Sequence, residues 1–271
     1  MTALGLSRTP VAERVEAFTL GGDSILTSFG ANALAVYGGG AVLVVDPFVA
    51  PAHARLLEAA LHERTRDPVR FVVLTHHHTD HALGAAYFAR KGAVVVAHRR
   101  CAERMAAEHP ALIAERQARP ELAVLFADAA SLAPAALFDD RLDLDLRGTS
   151  VRVRHAGHAH TPGDAVLLIG DDVVVTGDVV SNGYHVNYED ASPDGARAAA
   201  RALLDGPGRL FVPGHGAPGG REIVERQIAY HVAARDAARR PNAASEIRRL
   251  FAGFLLGTVV EASVVRLRAT A

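Results

Sequence analysis

This chain of 271 residues is poor in cysteine and in long apolar runs, and its first residues do not resemble a secretory signal. Its one cysteine, Cys101, can form no disulfide within the chain and has no ligand-like neighbours, so we expect a bystander thiol. The longest uncharged, largely apolar stretch, residues 250–260, is 11 residues long, against the roughly 20 that span a bilayer. Residues 1–10 lack the charged and apolar segments of a secretory signal. These absences predict a cytoplasmic protein without a membrane partner.

An excess of charge of either sign is also missing. Lysine plus arginine number 29 and aspartate plus glutamate number 30, which gives a net charge of −1. Nucleic-acid-binding proteins usually carry a basic surface, so we expect a small-molecule substrate and no nucleic-acid partner, with a homodimer left open. The hydrophobic share of 49% is typical of a globular protein, and no Ser/Gly- or Pro-rich linker divides the chain into two domains.

The first half of the chain alternates short apolar runs with helical patterns. Three runs near the start, at residues 24–29, 33–37 and 41–46, are separated by turn sequences and predict an antiparallel meander. The spacing of apolar residues then predicts strands over residues 71–74 and 93–97 and helices over residues 51–66, 82–90 and 99–128, the last interrupted at Pro110 and Pro120.

The second half repeats this order. Alternation of apolar and charged residues predicts a hairpin that turns at residues 147–150. Strand clusters that alternate with helices in each half predict two packed sheets covered by helices on both outer faces. The remaining predicted elements are strands at residues 165–169, 173–176 and 210–212, a helix at residues 193–204, and a helical pattern from residue 221 onward with Asn242 as the N-cap of residues 243–255.

Histidine is the residue that the chain has in excess. Seven of its 14 histidines lie in two windows of six residues, 76–81 and 155–160. The first window, His-His-His-Thr-Asp-His, follows a buried strand, and a loop there can turn several side chains towards one point. Imidazole and carboxylate groups without nearby sulfur favour zinc or iron. A catalytic metal with an open position takes about three protein ligands, so this many ligands on one loop predict two metal ions.

The spacing HxHxDH at residues 76–81 resembles the signature of the metallo-β-lactamase-fold hydrolases. Three further motifs stand in the order of that superfamily, namely His-Thr-Pro-Gly at residues 160–163, Thr-Gly-Asp at 176–178 and Pro-Gly-His-Gly at 213–216. The resemblance implies an α/β fold, a four-layer αββα sandwich of the metallo-β-lactamase type. It also implies a hydrolase domain over residues 1–220, with a C-terminal helical extension over residues 221–271 packed on the same domain.

Carried over residue by residue, the resemblance implies a dinuclear metal centre. The implied ligands are His76, His78 and His160 for one metal, Asp80, His81 and His215 for the other, and Asp178 as a bridge between them. Two zinc ions are implied, with iron and manganese left open. A metal-bound hydroxide would attack the carbonyl of an ester, lactone, thioester or lactam. Asp80 is the implied catalytic residue, which orients the nucleophile or moves a proton.

Two further aspartates are expected to support the ligands through hydrogen bonds. Asp46 ends an apolar strand and resembles an aspartate that supports the ligands in the superfamily. A charged group at the end of such a strand needs a partner, such as an imidazole N–H or the backbone of the ligand loop. Asp164 follows His-Thr-Pro-Gly, where many relatives have histidine. It either supports the metal loop or is simply a polar residue that opens the next strand.

The remaining clustered histidines and the loop after Asp178 lead to expectations about the pocket. His77 is predicted to point away from the metals, His158 to be a pocket residue and His155 to be an ordinary histidine at the end of a strand. Residues 181–188 are rich in polar and aromatic side chains, and loops beside a rigid scaffold commonly carry binding residues. We expect substrate contacts from Tyr184, His185 and Asn187.

Two other functions are compatible with this sequence pattern. An iron-dependent oxidoreductase of the persulfide dioxygenase type resembles the same scaffold but uses mononuclear iron, and metal content together with oxygen consumption distinguishes it. A scaffold that has lost its chemistry is the non-enzymatic alternative, which the retention of every ligand position disfavours. Efficient β-lactam hydrolysis is not expected, because aspartate rather than cysteine stands at position 178 and no secretion signal is found.

Overall fold

Two β-sheets form the centre of the computed structural model, which describes residues 5–270. Within these residues the first sheet has seven strands, which follow one another in chain order across the sheet, and the second has five. The first sheet contains β1 (Ser7–Ala12), β2 (Val15–Thr19), β3 (Asn32–Tyr37), β4 (Val42–Val45), β5 (Val69–Val73), β6 (Val94–His98) and β7 (Ala136–Phe138). The second contains β8 (Arg141–Asp145), β9 (Ser150–His155), β10 (Ala165–Ile169), β11 (Val173–Ser181) and β12 (Leu210–His215).

Each sheet begins as an antiparallel meander and ends with parallel pairing. In the first sheet β1 to β4 pair antiparallel, and β4 to β7 pair parallel. In the second, β8 to β11 pair antiparallel and β12 lies parallel to β11 at the edge. Parallel neighbours need a crossover connection, and helices supply it. These helices are α1 (Pro51–Arg64), α2 (Thr79–Ala82), α3 (Ala85–Arg90), α4 (Arg99–Ala118), α5 (Pro120–Phe126) and α6 (Pro193–Asp205).

The apolar residues of the strands decide how the layers pack. Successive strand residues point to opposite faces, so in β3 Leu34 packs between the two sheets while Ala33 and Ala35 pack against the outer helices. The outer face of the second sheet is covered in the same way, with Val174 and Phe211 against residues of α6 and of the helix after β12. Both faces of each sheet are therefore buried, and the predicted four-layer αββα sandwich is confirmed.

The C-terminal part of the chain is helical and lies against the loop after β11. It comprises α7 (Arg221–Ala238), α8 (Ala243–Leu250) and α9 (Val260–Ala269), with a 3₁₀ turn at Gly257–Val259. Tyr230, Ile247 and Val264 of these helices form one buried cluster with Val186 and Tyr188 of the loop. Among residues 5–270, no helix combines the length and the apolar character that crossing a bilayer requires.

The prediction of a strand over residues 24–29 is wrong. This segment forms a 3₁₀ turn, Ile25–Gly30, in which Ser28 and Phe29 have φ values of 54° and 53°. The Ser28 hydroxyl explains the fold-back, because it donates to the Asp80 carbonyl and accepts from the Val49 amide, both at 2.9 Å. Strands β1 and β2, which complete the meander, were not predicted, because β1 is largely exposed and polar and β2 carries the buried charged residue Glu16 among its apolar residues.

Two predicted helix boundaries also differ from the structure. α4 continues through Pro110, and the break comes only at Pro120, which begins α5. Pro110 lies on the exposed side of the helix, where the carbonyl that loses its amide partner remains open to water. The last predicted helix, residues 243–255, ends at Leu250 because Gly253 adopts φ of 86° and Leu255 then pairs with Tyr184 in an isolated β-bridge.

Candidate metal centre

The histidine-rich segment directly after β5 folds into a loop followed by α2. Thr75 anchors the start of this loop, since its amide and its hydroxyl both donate to the Asp46 carboxylate, at 2.8 and 2.6 Å. The loop brings His76, His78 and His81 into one buried group with ring centroids 4.4 to 4.8 Å from that of His76. The expected convergence of several side chains from one loop is therefore present.

Four of the predicted ligands form a first donor set, composed of His76, His78, His160 and Asp178. One ligand atom from each of the four lies within 4.8 Å of the others. His160 Nε2 is 2.8 Å from His78 Nδ1 and 3.4 Å from Asp178 Oδ2. His76 Nε2 is 4.0 Å from the same Asp178 oxygen.

The other three predicted ligands form a second donor set, composed of Asp80, His81 and His215. Their ligand atoms also lie within 4.8 Å of one another. His81 Nε2 and His215 Nε2 are 3.3 Å apart, and Asp80 Oδ2 is 3.3 Å from His215 Nε2. Asp178 reaches this set too, with Oδ1 3.3 Å from His81 Nε2 and Oδ2 3.4 Å from His215 Nε2. One carboxylate therefore stands between the two sets.

Strand pairing in the second sheet explains why Asp178 and His215 meet. Asp178 lies on β11, and His215 ends the parallel neighbour β12. Two glycines make the close approach possible: a Cβ on Gly214 would lie 1.8 Å from Asp178 Oδ1, and one on Gly177 would lie 2.6 Å from Thr75 Oγ1. Asn32 ties the first sheet to this point by donating to the carbonyls of residues 213 and 216.

Hydrogen bonds orient the imidazoles from their outer sides. His81 Nδ1 lies 3.1 Å from Asp46, His76 Nδ1 lies 3.0 Å from the Thr75 hydroxyl, and His215 Nδ1 donates to the Phe29 carbonyl at 3.1 Å. In the neutral form of each ring, the nitrogen that faces the centre then carries the lone pair. Asp164 holds His160 in another way, because its carboxylate accepts from the His160 and Thr161 amides and the Thr161 hydroxyl.

The polar atoms at the centre fit a cation. His76 Nε2 and Asp178 Oδ1 are buried, and within residues 5–270 neither has a hydrogen-bond partner. Unpartnered buried polar atoms are costly, and a bound cation would satisfy the lone pairs of both atoms. Imidazole and carboxylate donors with no thiolate among them match zinc and iron. These residues therefore suit metal ions better than any purely internal hydrogen-bond network.

The two donor sets differ in their electrostatics. Burial lowers the pKa of His160 to about 3 and that of His76 well below its ordinary value. Burial also opposes protonation of His215, but the Asp178 and Asp80 carboxylates outweigh it and raise the His215 pKa to about 9. In return His81 and His215 lower the pKa of Asp80 to about 2, although burial alone would raise it.

Comparison with known proteins agrees with this geometry. Residues 26–215 match the sequence profile of the Metallo-beta-lactamase superfamily. The chain belongs to this superfamily. Among solved structures, a metallo-beta-lactamase from Pontibacter korlensis superposes with a TM-score of 0.70 at 18% identity, covering 84% of this chain and 99% of that chain. TMB-1 superposes with a TM-score of 0.67 at 17% identity, covering 85% and 98%.

A curated relative of this chain is named as a subunit of an O-demethylase. The 2,4-dinitroanisole O-demethylase subunit alpha of Nocardioides sp. (strain JS1661) is 28% identical over 188 residues, which are 67% of this chain. The match covers 51% of the relative, so the chain spans about half the length of that protein.

A cavity of about 420 Å³ opens beside both donor sets of the superfamily fold. His78, Asp80, His160, Asp178 and His215 contribute to its wall. The C-terminal segment 256–259 supplies part of the wall that was not predicted. The cavity lining also includes Phe29, His77, Glu108, Leu112, Arg116, Asn187, Glu189, Asp190, Leu256 and Val259.

The three predicted substrate contacts separate in the structure. Asn187 lines the cavity, whereas Tyr184 and His185 lie outside its lining, with the Tyr184 ring centroid 5.2 Å from that of His215. Contact of these side chains with a substrate stays a prediction. Tyr184 is buried and donates to the Gly22 carbonyl, and His185 forms a 2.9 Å hydrogen bond with the Tyr230 hydroxyl. The reason is tertiary: backbone hydrogen bonds with Leu255 cover this part of the loop with the C-terminal segment.

Three histidines of the two histidine-rich windows have no predicted ligand role and form structural contacts. His77 is buried, and its Nε2 lies 3.3 Å from Glu108 rather than at the centre of either donor set. His158 Nε2 donates to the Asp190 carbonyl at 2.7 Å and lies outside the cavity lining. His155 stacks on His98 at the end of β9.

Proposed function

We propose that this chain is a dinuclear metal-dependent hydrolase, with zinc as the metal. The observation that carries the proposal is the shared carboxylate: Asp178 has an oxygen within 3.4 Å of a histidine nitrogen of each donor set. His76, His78 and His160 would hold one ion, and Asp80, His81 and His215 the other. Two such ions, when bound, lower the pKa of water towards neutrality and polarise a substrate carbonyl.

Asp80 is the residue proposed to act on the reacting water. Its carboxylate lines the cavity, and Oδ2 lies 3.3 Å from His215 Nε2 and 3.5 Å from His81 Nε2. The low pKa of about 2 keeps Asp80 ionised at neutral pH, so it can accept a hydrogen bond from water and set the direction of attack. Its backbone is fixed because the Ser28 hydroxyl donates to its carbonyl.

The cavity favours a small substrate that carries an apolar group. At about 420 Å³ it has the size of a small-molecule site. Phe29, Leu112, Leu256 and Val259 supply an apolar wall beside the polar donor sets. An ester, lactone, thioester or lactam with an apolar group would place that group on this wall and its carbonyl at the donor sets.

The curated relative favours a second candidate reaction at the same site. Its name describes removal of a methyl group from an aryl ether. The corresponding reaction here would join an activated aryl methyl ether with water and release a phenol and methanol, without an oxidant. The apolar wall of the cavity would accept the aromatic ring as readily as an acyl group.

One purified sample tests these proposals. Elemental analysis should find two zinc ions per chain. A panel of esters, lactones, thioesters, lactams and 2,4-dinitroanisole should then reveal hydrolysis that needs no oxygen. Asp178→Ala should lose both metal and activity, while Asp171→Ala, at an exposed turn with a 96% exposed side chain, should keep both.

Three results would contradict the proposal. One iron per chain, together with oxygen consumption on glutathione persulfide, would instead identify a persulfide dioxygenase-like enzyme. A folded protein that binds no zinc at micromolar concentration would identify a scaffold without this chemistry. Full activity of Asp178→Ala with unchanged metal content would remove the shared carboxylate from the mechanism.

A further inference from the structure

His78 is a proposed ligand whose outer nitrogen contacts a side-chain carboxylate that no motif marks. Its Nδ1 faces the first donor set, 2.8 Å from His160 Nε2. Its other nitrogen, Nε2, lies 3.1 Å from Asp190 Oδ2. The imidazole is therefore held between the candidate metal position on one side and a carboxylate on the other.

Three other proposed histidine ligands show why this contact matters. His76, His81 and His215 each have the outer nitrogen in a hydrogen bond, with the Thr75 hydroxyl, the Asp46 carboxylate and the Phe29 carbonyl. A metal-bound imidazole must carry its proton on the outer nitrogen, and the partner of that N–H fixes the tautomer and the ring orientation. Asp190 occupies this position for His78.

Asp190 is itself held firmly. Arg104 Nη2 donates to its Oδ1 at 2.5 Å and contacts Glu108 Oε1 at 2.7 Å. The backbone of Asp190 is tied down as well, because His158 Nε2 donates to its carbonyl at 2.7 Å. A carboxylate with a fixed backbone and a fixed counter-ion can orient a neighbouring imidazole, because it does not move to suit the ring.

A third cation at this place would be a different interpretation of the same side chains. His77, His78 and Asp190 do offer ligand atoms within 4.8 Å of one another. However, the Arg104 guanidinium already pairs with both nearby carboxylates, Glu108 and Asp190. A cation would have to displace this positive charge, so the arrangement favours an orienting network.

We propose that Asp190 is a positioning residue that accepts the Nε2 proton of His78 and so directs the Nδ1 lone pair to the metal of the first donor set. This inference rests on the proposed function, since it needs a metal at that set. Asp190 lies 112 positions after His78 and belongs to none of the four sequence motifs.

Metal affinity of the full-length protein tests the proposal without reference to catalysis. Competition with a zinc chelator should show Asp190→Ala binding zinc at the first donor set about 10- to 100-fold more weakly, the usual cost of losing such a partner. Affinity at the second set should stay as in the wild type. Asp190→Asn retains an acceptor oxygen but no charge. Its zinc affinity at the first set should lie between those of the wild type and Asp190→Ala.

A matched control and a spectroscopic readout complete the test. Asp194→Asn removes another arginine-paired aspartate, with an exposed side chain that contacts Arg235 and Arg197, and should leave both zinc affinities unchanged. In ¹⁵N-edited NMR of the zinc form, His78 should carry its proton on Nε2 in the wild type, and this signal should shift in Asp190→Ala.

The possible failures are distinguishable. If the wild type binds no metal, the proposed function itself is wrong. If the wild type binds two ions and Asp190→Ala binds both as tightly, the positioning role is overturned; should Asp190→Ala not fold, Asp190→Asn decides in the same way. Three ions in the wild type and two in Asp190→Ala would replace the positioning role by a third metal site.

Discussion

The two donor sets lie side by side and share Asp178, yet their surroundings differ. In the first set His76 and His160 have pKa values lowered by burial, so both are neutral near pH 7. In the second set His81 and His215 have raised pKa values, despite burial, because Asp178 and Asp80 face them. His78 of the first set also has a raised pKa, despite burial, because Asp190, Asp80 and Asp178 face it. The contrast between the sets therefore lies in His76 and His160, which offer lone pairs, against His81 and His215, which favour a proton.

The difference shows how the placement of one carboxylate changes the chemistry of neighbouring histidines. Asp80 belongs to the second set alone, with Oδ2 3.3 Å from His215 Nε2 and 3.5 Å from His81 Nε2. A metal that enters the second set must displace protons from imidazoles, whereas His76 and His160 offer free lone pairs. We therefore expect the two metal positions to differ in their response to pH, and mutations can separate them.

Removal of the shared ligand should abolish the distinction. Asp178→Ala takes a carboxylate from both sets, so both metals should be lost. We expect hydrolytic activity to fall by more than about 100-fold, the upper end of what losing a mere supporting contact costs. Metal content by elemental analysis and kcat/KM on the best substrate of the panel measure the effect, with Asp171→Ala as the folded control.

Single ligands should empty one set at a time. His215→Ala should leave one zinc at the first set, and His160→Ala one zinc at the second, each with hydrolysis abolished because both ions are needed. Zinc stoichiometry after dialysis measures the outcome. Equal loss of both ions in each variant would show that the sets act as one site.

Support from outside the donor sets should have a smaller effect. Asp46→Asn suits the local backbone, since asparagine tolerates the φ of 53° found there. It weakens the acceptor for His81 Nδ1, so zinc affinity at the second set should fall about 10- to 100-fold. The effect mirrors that of Asp190→Ala at the first set. If chelator competition finds the first set weakened more than the second, our assignment of Asp46 is wrong.

The metal-free protein should lose stability on both sides of about pH 6.5. His215, with its pKa raised to about 9, stabilises the fold below pH 6.5, and this contribution is lost as the pH rises to about 9. His160, with its pKa lowered to about 3, favours the fold while neutral, and this contribution is lost as the pH falls from 6.5. Each contribution amounts to several degrees in Tm.

Thermal unfolding of chelator-treated protein across this pH range measures both windows. His215→Gln should reduce the alkaline slope without removing it, because His81 also has a raised pKa, and His160→Gln should reduce the acidic slope only. An alkaline slope as steep in His215→Gln as in the wild type would assign that titration to another group.

The smallest effect is expected at the cavity wall, away from both donor sets. Leu256→Ala removes apolar surface from the wall, so KM should rise about tenfold or less for substrates with a large apolar group. Substrates with a small group should be affected less, and the zinc content should stay at two. A fall in metal content would show that residues 256–259 stabilise the centre as well as the wall.

Local motifs and the family resemblance predicted donor residues that the structure brings together, because each motif folds as a short unit. The loop of residues 76–81, the turn after His160 and the strand ends at Asp178 and His215 place their side chains through neighbouring backbone. Asp46 was identified for the same reason, as a charge at the end of a buried strand. The layered fold was predicted from apolar periodicity, although the strand predicted over residues 24–29 was wrong.

Contacts between distant segments were beyond sequence reasoning. Residues 24–29 looked like a strand, but Ser28 bonds to Val49 and to Asp80, which lies 52 positions further along the chain. Tyr184 looked accessible, yet Leu255 pairs with it and the C-terminal segment covers it. In each case a partner far along the chain, absent from any local pattern, decided the outcome.

By itself the sequence determined the donor chemistry: histidines and aspartates at fixed spacings, without sulfur, which favour a metal centre in a globular α/β protein. Only the tertiary structure decided that Asp190 reaches His78 and that residues 256–259 line the cavity. The physical reason is distance. Residue types and short-range spacing are carried by adjacent backbone, whereas these contacts arise only when parallel strands and C-terminal helices pack around one point.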